Sequence, residues 1–184
     1  MSKIEKYLKK HLSKIDTDLD STICGSYRRK KETSGDIDIL LTHKDIIKSG
    51  DLEDQDYLCQ LITILKKDKF IVDDLTYNGN TKYMGMCKIP KSDYARRIDI
   101  RFVPYNSFSA ATLYFTGSKN LNQIMRELAI KKGYKLNEYG LYKTEFNKSL
   151  NKLVEDYRIK CSTEKEIFEK IEYEWLEPTQ RNIT

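Results

Sequence analysis

Hydrophobic and polar positions alternate in several segments of the chain, and this pattern predicts most of its elements. Apolar residues recur every three to four positions in residues 2–16 and 57–65, which is typical of amphipathic helices. Asn78-Gly79-Asn80 has the composition of a hairpin turn. Alternation with a period of two, or a short apolar run, predicts strands at residues 21–24, from 36 onward, and at 70–77, 82–89 and 94–103. These elements predict a mixed α+β domain that ends near Pro104.

The pattern changes after Tyr105 to helices and short hairpins. Residues 118–132 and 164–175 have helical spacing, and Asn137-Glu138-Tyr139-Gly140 has the composition of a turn. Pro178 stops the last helix soon after its predicted end. The chain therefore divides into two predicted domains, residues 1–105 and 106–184.

Composition places the chain among globular proteins and excludes several classes. Its 184 residues fit one compact domain or two small ones, and 39% of them are hydrophobic. No apolar stretch approaches the ~20 residues that cross a bilayer, so no membrane association is expected. The four cysteines are widely spaced, which favours reduced thiols in an intracellular compartment and argues against a zinc site. His11 and His43 are likewise expected to be too isolated to form one.

The chain is mildly basic, and the distribution of its charged residues is more informative than its net charge. Thirty-three Lys and Arg against 28 Asp and Glu give a net charge of +5, which alone does not indicate a nucleic-acid partner. Lys6, Lys10 and Lys14 recur at every fourth position of the first helix. Such a stripe is either an ordinary solvated face or a surface that follows a phosphate backbone.

Two carboxylates stand at the head of the strand that begins at residue 36. Because side chains alternate along a strand, Asp36 and Asp38 point to one face, and Ile37 and Ile39 point to the core. Carboxylates crowded on one face repel each other, and a divalent cation with hard oxygen ligands, most plausibly Mg²⁺, compensates them. A solvated strand end is the simpler alternative for Asp-x-Asp alone.

A third carboxylate follows in Arg96-Arg97-Ile98-Asp99-Ile100-Arg101-Phe102. Alternation places Arg97, Asp99 and Arg101 on one face of this strand. If the two strands are neighbours, Asp99 completes a three-carboxylate site that can hold two metals about 3.5–4 Å apart, as in phosphoryl transfer. The arginines fit partners for phosphates, or counter-ions for the acids.

Several of these segments together resemble family X DNA polymerases, the group that contains DNA polymerase beta. The resemblance rests on Gly25-Ser26 through Leu41, on Arg97-Ile98-Asp99-Ile100-Arg101 and on Leu113-Tyr114-Phe115-Thr116-Gly117-Ser118. It continues through Asn122, Met125-Arg126 and residues 133–139, and is still visible at 164–168 and 177–178. It thus covers about residues 20–180, with several unrelated motifs in the same order.

The resemblance implies a nucleotidyltransferase palm in residues 1–105 and a thumb in residues 106–184. The chain has no room for the lyase and helix-hairpin-helix domains that usually precede the palm, a minimal format associated with small viral members. The implied activity is template-directed addition of dNMP to a primer 3′-hydroxyl, for short-gap filling in base-excision repair. The implied partners are gapped or primed DNA, dNTP and a DNA ligase. The chain is expected to be a monomer in the nucleus or, if viral, in the host cytoplasm or virion.

The resemblance also implies roles for individual residues. Asp36 and Asp38 would bind two Mg²⁺ ions, for which Mn²⁺ can substitute, and Asp99 would bind the catalytic ion and act as the base. The implied nucleotide-binding residues are Gly25, Ser26, Arg29, Gly35, Tyr114, Phe115, Gly117, Lys119 and Asn122, with a cis Gly117–Ser118 bond. The implied DNA-binding residues are Arg97, Arg126, Lys6, Lys10 and Lys14. Arg101, Glu138 and Tyr139 would form a conformational switch.

The sequence departs from DNA polymerase beta at two positions, and it is also compatible with two other functions. Lys119 stands where DNA polymerase beta has an acid, and Gln123 stands where it has a lysine that stacks on the template. Because the palm motif is shared, a template-independent terminal transferase, or a transferase acting on RNA or a small molecule, is one alternative. A catalytically silent DNA-end binder is the other.

Overall fold

The computed structural model describes residues 3–88, 94–147, 149–150 and 152–183 and forms two compact units. The first unit contains the described residues up to Tyr27 together with Glu32–Tyr105. The second contains Arg28–Lys31 and the described residues from Asn106 onward. Arg28–Lys31 therefore group with residues that follow much later in the sequence.

The first unit is built on a five-stranded mixed sheet. Its strand order is β1-β2-β5-β4-β3, with β2 and β5 parallel and the other neighbours antiparallel. The elements of this part of the chain are α1 (Lys3–Ile15), β1 (Leu19–Ile23), α2 (Gly25–Arg28), β2 (Asp36–His43), α3 (Tyr57–Lys67), β3 (Ile71–Asn78), β4 (Lys82–Lys88) and β5 (Ala95–Phe102). Short 3-10 turns lie at Ser49–Leu52 and Tyr105–Ser107.

The core of the first unit follows the predicted periodicities. The apolar faces of α1 and α3 pack against one face of the sheet, and Ile37, Ile39, Ile98 and Ile100 are buried between them. The predicted hairpin joins β3 to β4 and turns at Gly79, whose φ is +57°. The predicted helix start at Ser2 and the predicted strand end at Ile89 lie outside the described residues.

The second unit combines helices with a three-stranded antiparallel sheet of order β6-β7-β8. Its core includes Leu121 and Met125 from one helix and Ile167 and Phe168 from another. The elements are α4 (Phe108–Thr116), α5 (Lys119–Lys131), β6 (Tyr134–Asn137), β7 (Gly140–Asn147), β8 (Lys152–Ile159) and α6 (Glu164–Lys170), followed by a 3-10 turn at Pro178–Gln180. Together the two units confirm the predicted α+β fold with a helical and hairpin second part.

The last helix is shorter than predicted, because its C-terminus is closed by local hydrogen bonds. The prediction ran to Trp175, whereas α6 ends at Lys170. Glu172 has a φ of +55°, and its N–H donates to the carbonyl of Glu169. The N–H of Tyr173 donates to the carbonyl of Phe168, and the two rings are in contact. This is a Schellman motif, which ends a helix without glycine here.

Among the described residues, no helix combines the length and the apolar character that a membrane span requires.

Candidate active site

Three carboxylates meet on the exposed face of two neighbouring parallel strands. β2 and β5 pair in a register that places Asp38 opposite Asp99 and Asp36 opposite Arg97. Their side chains are partly buried, while the alternate residues of both strands point into the core. Alternation along the two strands predicts this arrangement, and the strand register brings the three acids together.

Arg97 lies between these carboxylates and compensates part of their charge. Its Nη2 atom is 2.7 Å from Oδ2 of Asp36 and 3.4 Å from Oδ2 of Asp99. Arg101 follows on the same face of β5, and its charge offsets part of the rise that burial causes in the pKa of Asp38 and of Asp99. Two guanidinium groups thus stand beside the three acids and offset part of their charge.

Burial and mutual repulsion perturb the acids. Burial first, and then the neighbouring charges of Asp36 and Asp99, raise the pKa of Asp38 to about 6. Burial is also the main reason that the pKa of Asp99 is raised. The Oδ1 atom of Asp99 is buried and has no hydrogen-bond partner among the described residues. Hard oxygen ligands that repel one another, one of them unpartnered, fit a divalent cation such as Mg²⁺.

A glycine makes room for the carboxylate of Asp38. Gly25 has a φ of +62°, a conformation that L side chains rarely adopt. A Cβ atom at this position would lie 2.3 Å from Oδ2 of Asp38. The adjacent N–H of Cys24 donates to the carbonyl of Asp38 over 2.7 Å. The start of α2 is therefore packed directly against a candidate metal ligand.

Ser26 lies one residue further along α2 and is linked to the loop before β2. Its hydroxyl oxygen is 2.8 Å from that of Ser34, and the Ser34 hydroxyl donates to the carbonyl of Asp36 over 2.8 Å. Gly35 is exposed, and a Cβ atom there would meet nothing within 4 Å. Ser34 was not among the residues singled out from the sequence.

In the second unit, Arg29 is held by the segment around Gly117. Its Nη1 atom donates to the carbonyl of Thr116, and its Nε atom donates to Oδ1 of Asn182 over 2.8 Å. Gly117 has a φ of +68°, and the Gly117–Ser118 peptide bond is cis, as the family resemblance implies. The second unit thus brings Arg29 and Gly117 together, although they are far apart in sequence.

Helix α5 presents the other predicted nucleotide and DNA contacts. Nδ2 of Asn122 donates to the carbonyl of Tyr114 over 2.8 Å, and the guanidinium of Arg126 lies 4.9 Å from the centre of the Tyr114 ring. Arg126 is also 3.8 Å from Glu138. Tyr114 and Phe115 are in edge contact, 5.0 Å between ring centres.

The remaining predicted residues occupy exposed positions of each unit. In the second unit, Lys119 and Gln123 are exposed on α5, and Tyr139 is exposed in the turn between β6 and β7. In the first unit, Lys6, Lys10 and Lys14 are exposed on α1, opposite its buried residues. The stripe predicted from the sequence is therefore a continuous lysine face of that helix.

His43 has acidic neighbours that the sequence did not reveal. Ligand atoms of Asp16, Asp18 and His43 all lie within 4.8 Å of one another, in contrast to the expectation that His43 is isolated. Nε2 of His43 is 3.3 Å from Oδ2 of Asp16 but lacks the geometry of a hydrogen bond. The antiparallel register of β1 and β2 creates this proximity, so no local motif marks it.

The hydrogen bonding of His43 argues against coordination of a metal by this second cluster. Its Nδ1 atom accepts a hydrogen bond of 3.2 Å from the backbone N–H of Asp45, so the neutral ring carries its proton on Nε2. That nitrogen faces Asp16, whose carboxylate also accepts a hydrogen bond from the hydroxyl of Tyr57. The cluster therefore fits a structural histidine–carboxylate pair.

Comparison with known proteins agrees with the two units. Residues 1–105 match the DNA polymerase beta palm family, and residues 111–182 match the DNA polymerase beta thumb family. A sheet that carries three acids, followed by this second unit, defines a polymerase palm and thumb, a class whose palm uses divalent metal ions. The chain belongs to the DNA polymerase beta family, family X.

Individual relatives support the same family. The chain is 35% identical over 187 residues to DNA polymerase lambda of Rattus norvegicus, covering 98% of this chain and 32% of the relative. It is 34% identical over 172 residues to DNA polymerase lambda of Arabidopsis thaliana, covering 88% of this chain and 32% of the relative. DNA polymerase IV of Saccharomyces cerevisiae is 34% identical over 102 residues, 55% of this chain and 16% of that protein. The chain thus spans about a third of the length of the two lambda relatives.

Proposed function

We propose that this protein is a template-directed DNA polymerase that adds dNMP to a primer 3′-hydroxyl and fills short gaps in base-excision repair. The observation that carries the proposal is the register of β2 and β5, which sets Asp38 opposite Asp99 within a palm of this family. Phosphoryl transfer asks mainly for positioning and charge neutralisation, and a face of three acids with adjacent arginines supplies both.

The three acids are the proposed ligands of two Mg²⁺ ions, for which Mn²⁺ can substitute. Asp36 and Asp38 would contact both ions, and Asp99 would contact the catalytic ion. When bound, the ions supply Lewis-acid activation of the hydroxyl and neutralise the leaving pyrophosphate. Asp99, with its buried and unpartnered Oδ1 atom and its raised pKa, is the group proposed to accept the proton of the 3′-hydroxyl.

The nucleotide is proposed to contact groups from both parts of the chain. The hydroxyl of Ser26 and the backbone N–H groups near Gly25 and Gly35 would bind the triphosphate, and Arg29 would add a positive charge. Tyr114, Phe115 and Gly117 would pack under the sugar. Lys119 and Asn122 would lie near the base.

The DNA is proposed to contact basic groups that remain accessible. Arg126, anchored on the Tyr114 ring, would read the minor-groove edge of the nascent pair, and Arg97 would contact the DNA once cations replace it beside the acids. The lysine face of α1 would follow the phosphate backbone. Arg101 is the proposed switch residue, exchanging Asp38 for Glu138 and Tyr139.

The residue ranges and the cellular setting complete the proposal. Residues 1–105 would serve as the palm that holds the metals, and residues 106–184 as the thumb that binds the nucleotide. The repair role implies handover of the filled nick to a DNA ligase. A reducing compartment such as the nucleus suits a chain whose four cysteines are widely spaced in the sequence.

Single-nucleotide extension tests the function. A duplex with a one-nucleotide gap is incubated with Mg²⁺ and each dNTP separately, beside single-stranded and blunt-ended controls. Incorporation of mainly the complementary base in the gap is the expected result. Asp99→Ala should abolish incorporation yet retain DNA binding, whereas Asp20→Ala, at an exposed acid on β1, should leave both unchanged.

The other outcomes identify the alternatives. Untemplated addition, or addition to single strands, would indicate a terminal transferase. DNA binding without any turnover would indicate a silent end binder. Absence of both would leave a transferase that acts on RNA or a small molecule.

A further inference from the structure

Ser34 stands between two groups of the candidate site, although the sequence analysis assigns no role to it. Its hydroxyl oxygen lies 2.8 Å from the hydroxyl oxygen of Ser26 and 2.8 Å from the carbonyl oxygen of Asp36. The side chain is half-buried, and all three residues belong to the first unit. Ser34 therefore links the proposed triphosphate-binding hydroxyl to the first residue of the strand that carries the acids.

The direction of these hydrogen bonds follows from the donor and acceptor capacity of each group. A carbonyl oxygen can only accept, so Ser34 must donate its single hydroxyl proton to Asp36. The oxygen of Ser34 must then accept from Ser26. In this state the proton of Ser26 is directed at Ser34.

Binding of a triphosphate requires that the hydrogen bonds between Ser26, Ser34 and Asp36 rearrange. Phosphate oxygens only accept, so Ser26 must turn its proton from Ser34 to the ligand. The oxygen of Ser26 is then free to accept, and Ser34 can rotate its own proton onto it. A hydroxyl that accepts a hydrogen bond is polarised and becomes a better donor. Ser34 can thus be a partner of Ser26 both before and after the ligand binds.

We propose that Ser34 is a positioning residue that holds the hydroxyl of Ser26 toward the triphosphate and acts only through Ser26. The inference rests on the proposed function, since it assumes that Ser26 binds the triphosphate of a nucleotide. Before the ligand binds, the same hydroxyl donates to the carbonyl of Asp36 at the start of β2, which keeps Ser26 close to the carboxylate strand. No bond is made or broken in this role; only protons within hydrogen bonds are redirected.

A double-mutant cycle on Ser26 and Ser34 tests the inference. The affinity of the complementary dNTP is measured by calorimetry with the full chain on gapped DNA whose primer ends in a dideoxynucleotide, and kcat and KM are measured on extendable DNA. Ser34→Ala should weaken dNTP affinity and raise KM by about three- to tenfold, the effect of one hydrogen bond, with kcat nearly unchanged. Ser26→Ala should weaken the dNTP affinity at least as much. The double variant should have the same dNTP affinity as Ser26→Ala alone.

Two control variants and a stability measurement accompany the cycle. Ser34→Thr keeps the hydroxyl and should restore most of the affinity. Thr33→Ala, at the exposed neighbouring position, should behave like the wild type. Circular dichroism and Tm of each variant establish that its fold is intact.

Each outcome supports or overturns a defined statement. Equal loss of affinity on Ser34→Ala with and without Ser26 would overturn the inference, because Ser34 would then act independently. Wild-type affinity of Ser34→Ala would overturn it as well. In both cases the wild type still extends the primer, so the proposed function would stand. A wild type that neither binds dNTP nor extends would overturn the proposed function and the inference with it.

Discussion

A partly buried carboxylate that faces two others destabilises a fold unless a cation compensates it, and Asp38 is such a residue. Its pKa is raised to about 6 by burial and by Asp36 and Asp99, while Arg97 and Arg101 offset only part of this effect. Asp36 differs, because Arg97 lies 2.7 Å away. The charge of Asp38 therefore opposes folding, whereas Asp36 has a guanidinium partner.

Asp38→Asn is expected to stabilise the metal-free protein at high pH. The unfolded pKa is about 3.9 and the folded pKa is higher, so ionisation of Asp38 destabilises the fold increasingly from pH 4 to 6 and fully above it. We expect Tm to rise by about 3 °C at pH 8, which corresponds to about 1 kcal/mol after allowance for solvent screening. Below pH 4 the gain should vanish. Thermal unfolding with a chelator present measures this.

The matched control is Asp36→Asn, which removes the ion pair with Arg97 and should give no such gain. Equal stabilisation by both variants would show that the destabilisation does not come specifically from the ionised carboxylate of Asp38.

Gly25→Ala is expected to weaken metal binding through the position of Asp38. The new Cβ atom would lie 2.3 Å from Oδ2 of Asp38, so the carboxylate or α2 must move. We expect at least a tenfold loss of Mn²⁺ affinity by calorimetry, about 1.4 kcal/mol, and a parallel loss of incorporation. Gly35→Ala, where the Cβ atom meets nothing within 4 Å, should retain the affinity. A retained affinity in Gly25→Ala would argue against this packing.

At the scale of elements, α1 is fixed by two similar clusters. Near its middle, His11 lies 3.3 Å from Asp68, which also accepts a hydrogen bond from Tyr7. Just after its end, Asp16 pairs with His43 and accepts from Tyr57. Tyr57 is the first residue of α3 and Asp68 directly follows its last residue, so α1 is held against both ends of α3. This attachment directs the lysine face of α1 to solvent.

Replacement of Lys6, Lys10 and Lys14 by Gln should flatten the salt dependence of DNA binding. Each phosphate contact contributes a slope of about −0.9 in log K against log salt, so three lost contacts should reduce the slope by up to about 2.7. Fluorescence anisotropy with gapped DNA between 50 and 300 mM salt measures it. Lys165→Gln with Lys170→Gln, at exposed lysines of α6, is the control. An unchanged slope in the α1 variant would show that the lysines of α1 do not contact the DNA.

Local periodicity predicted most of the helices and strands, but it did not predict which residues far apart in the sequence are in contact. The faces of β2 and β5 follow from alternation, so the placement of Asp36, Asp38 and Asp99 on one face could be inferred. Their adjacency required a parallel pairing that the sequence only suggested. The proximity of His43 to Asp16 depends on the register of another strand pair. The early end of α6 depends on Glu172 adopting a positive φ, a conformation that no glycine signals there.

At the scale of the whole molecule, the second unit is assembled from two distant pieces of chain. Arg28 binds the carboxylate of Glu164 with two hydrogen bonds, of 2.9 and 2.6 Å. Arg181 is fully buried, donates to the same carboxylate over 2.6 Å, and lies over the Phe168 and Trp175 rings. One acid thus compensates two guanidinium groups that are 153 positions apart in the sequence. Sequence periodicity does not predict that Glu164 pairs with these two arginines.

Glu164→Gln should destabilise the chain strongly, because it leaves a fully buried arginine without its counter-ion. We expect a loss of about 3–5 kcal/mol in the free energy of unfolding at pH 7, measured in urea. Although burial favours the neutral acid, Arg28 and Arg181 lower the pKa of Glu164 below its ordinary value. Its stabilisation is therefore present above about pH 4.3 and lost as the pH falls through the folded pKa.

Glu169→Gln, at an exposed acid of the same helix, is the matched control and should change stability by less than about 0.5 kcal/mol. Similar losses in the two variants would show that the buried cluster is not what stabilises the second unit.

The split composition of the second unit also imposes an order on events during synthesis. Arg29 is translated 153 residues before Asn182, the side chain that accepts a hydrogen bond from its Nε atom. At about 5–20 residues per second, roughly 8 to 30 s pass between the two on the ribosome. Throughout that interval the nascent chain carries Arg29 before this acceptor exists. Completion of the second unit therefore waits until Asn182 has been translated, whereas the sheet of the first unit has all its strands once Phe102 has emerged.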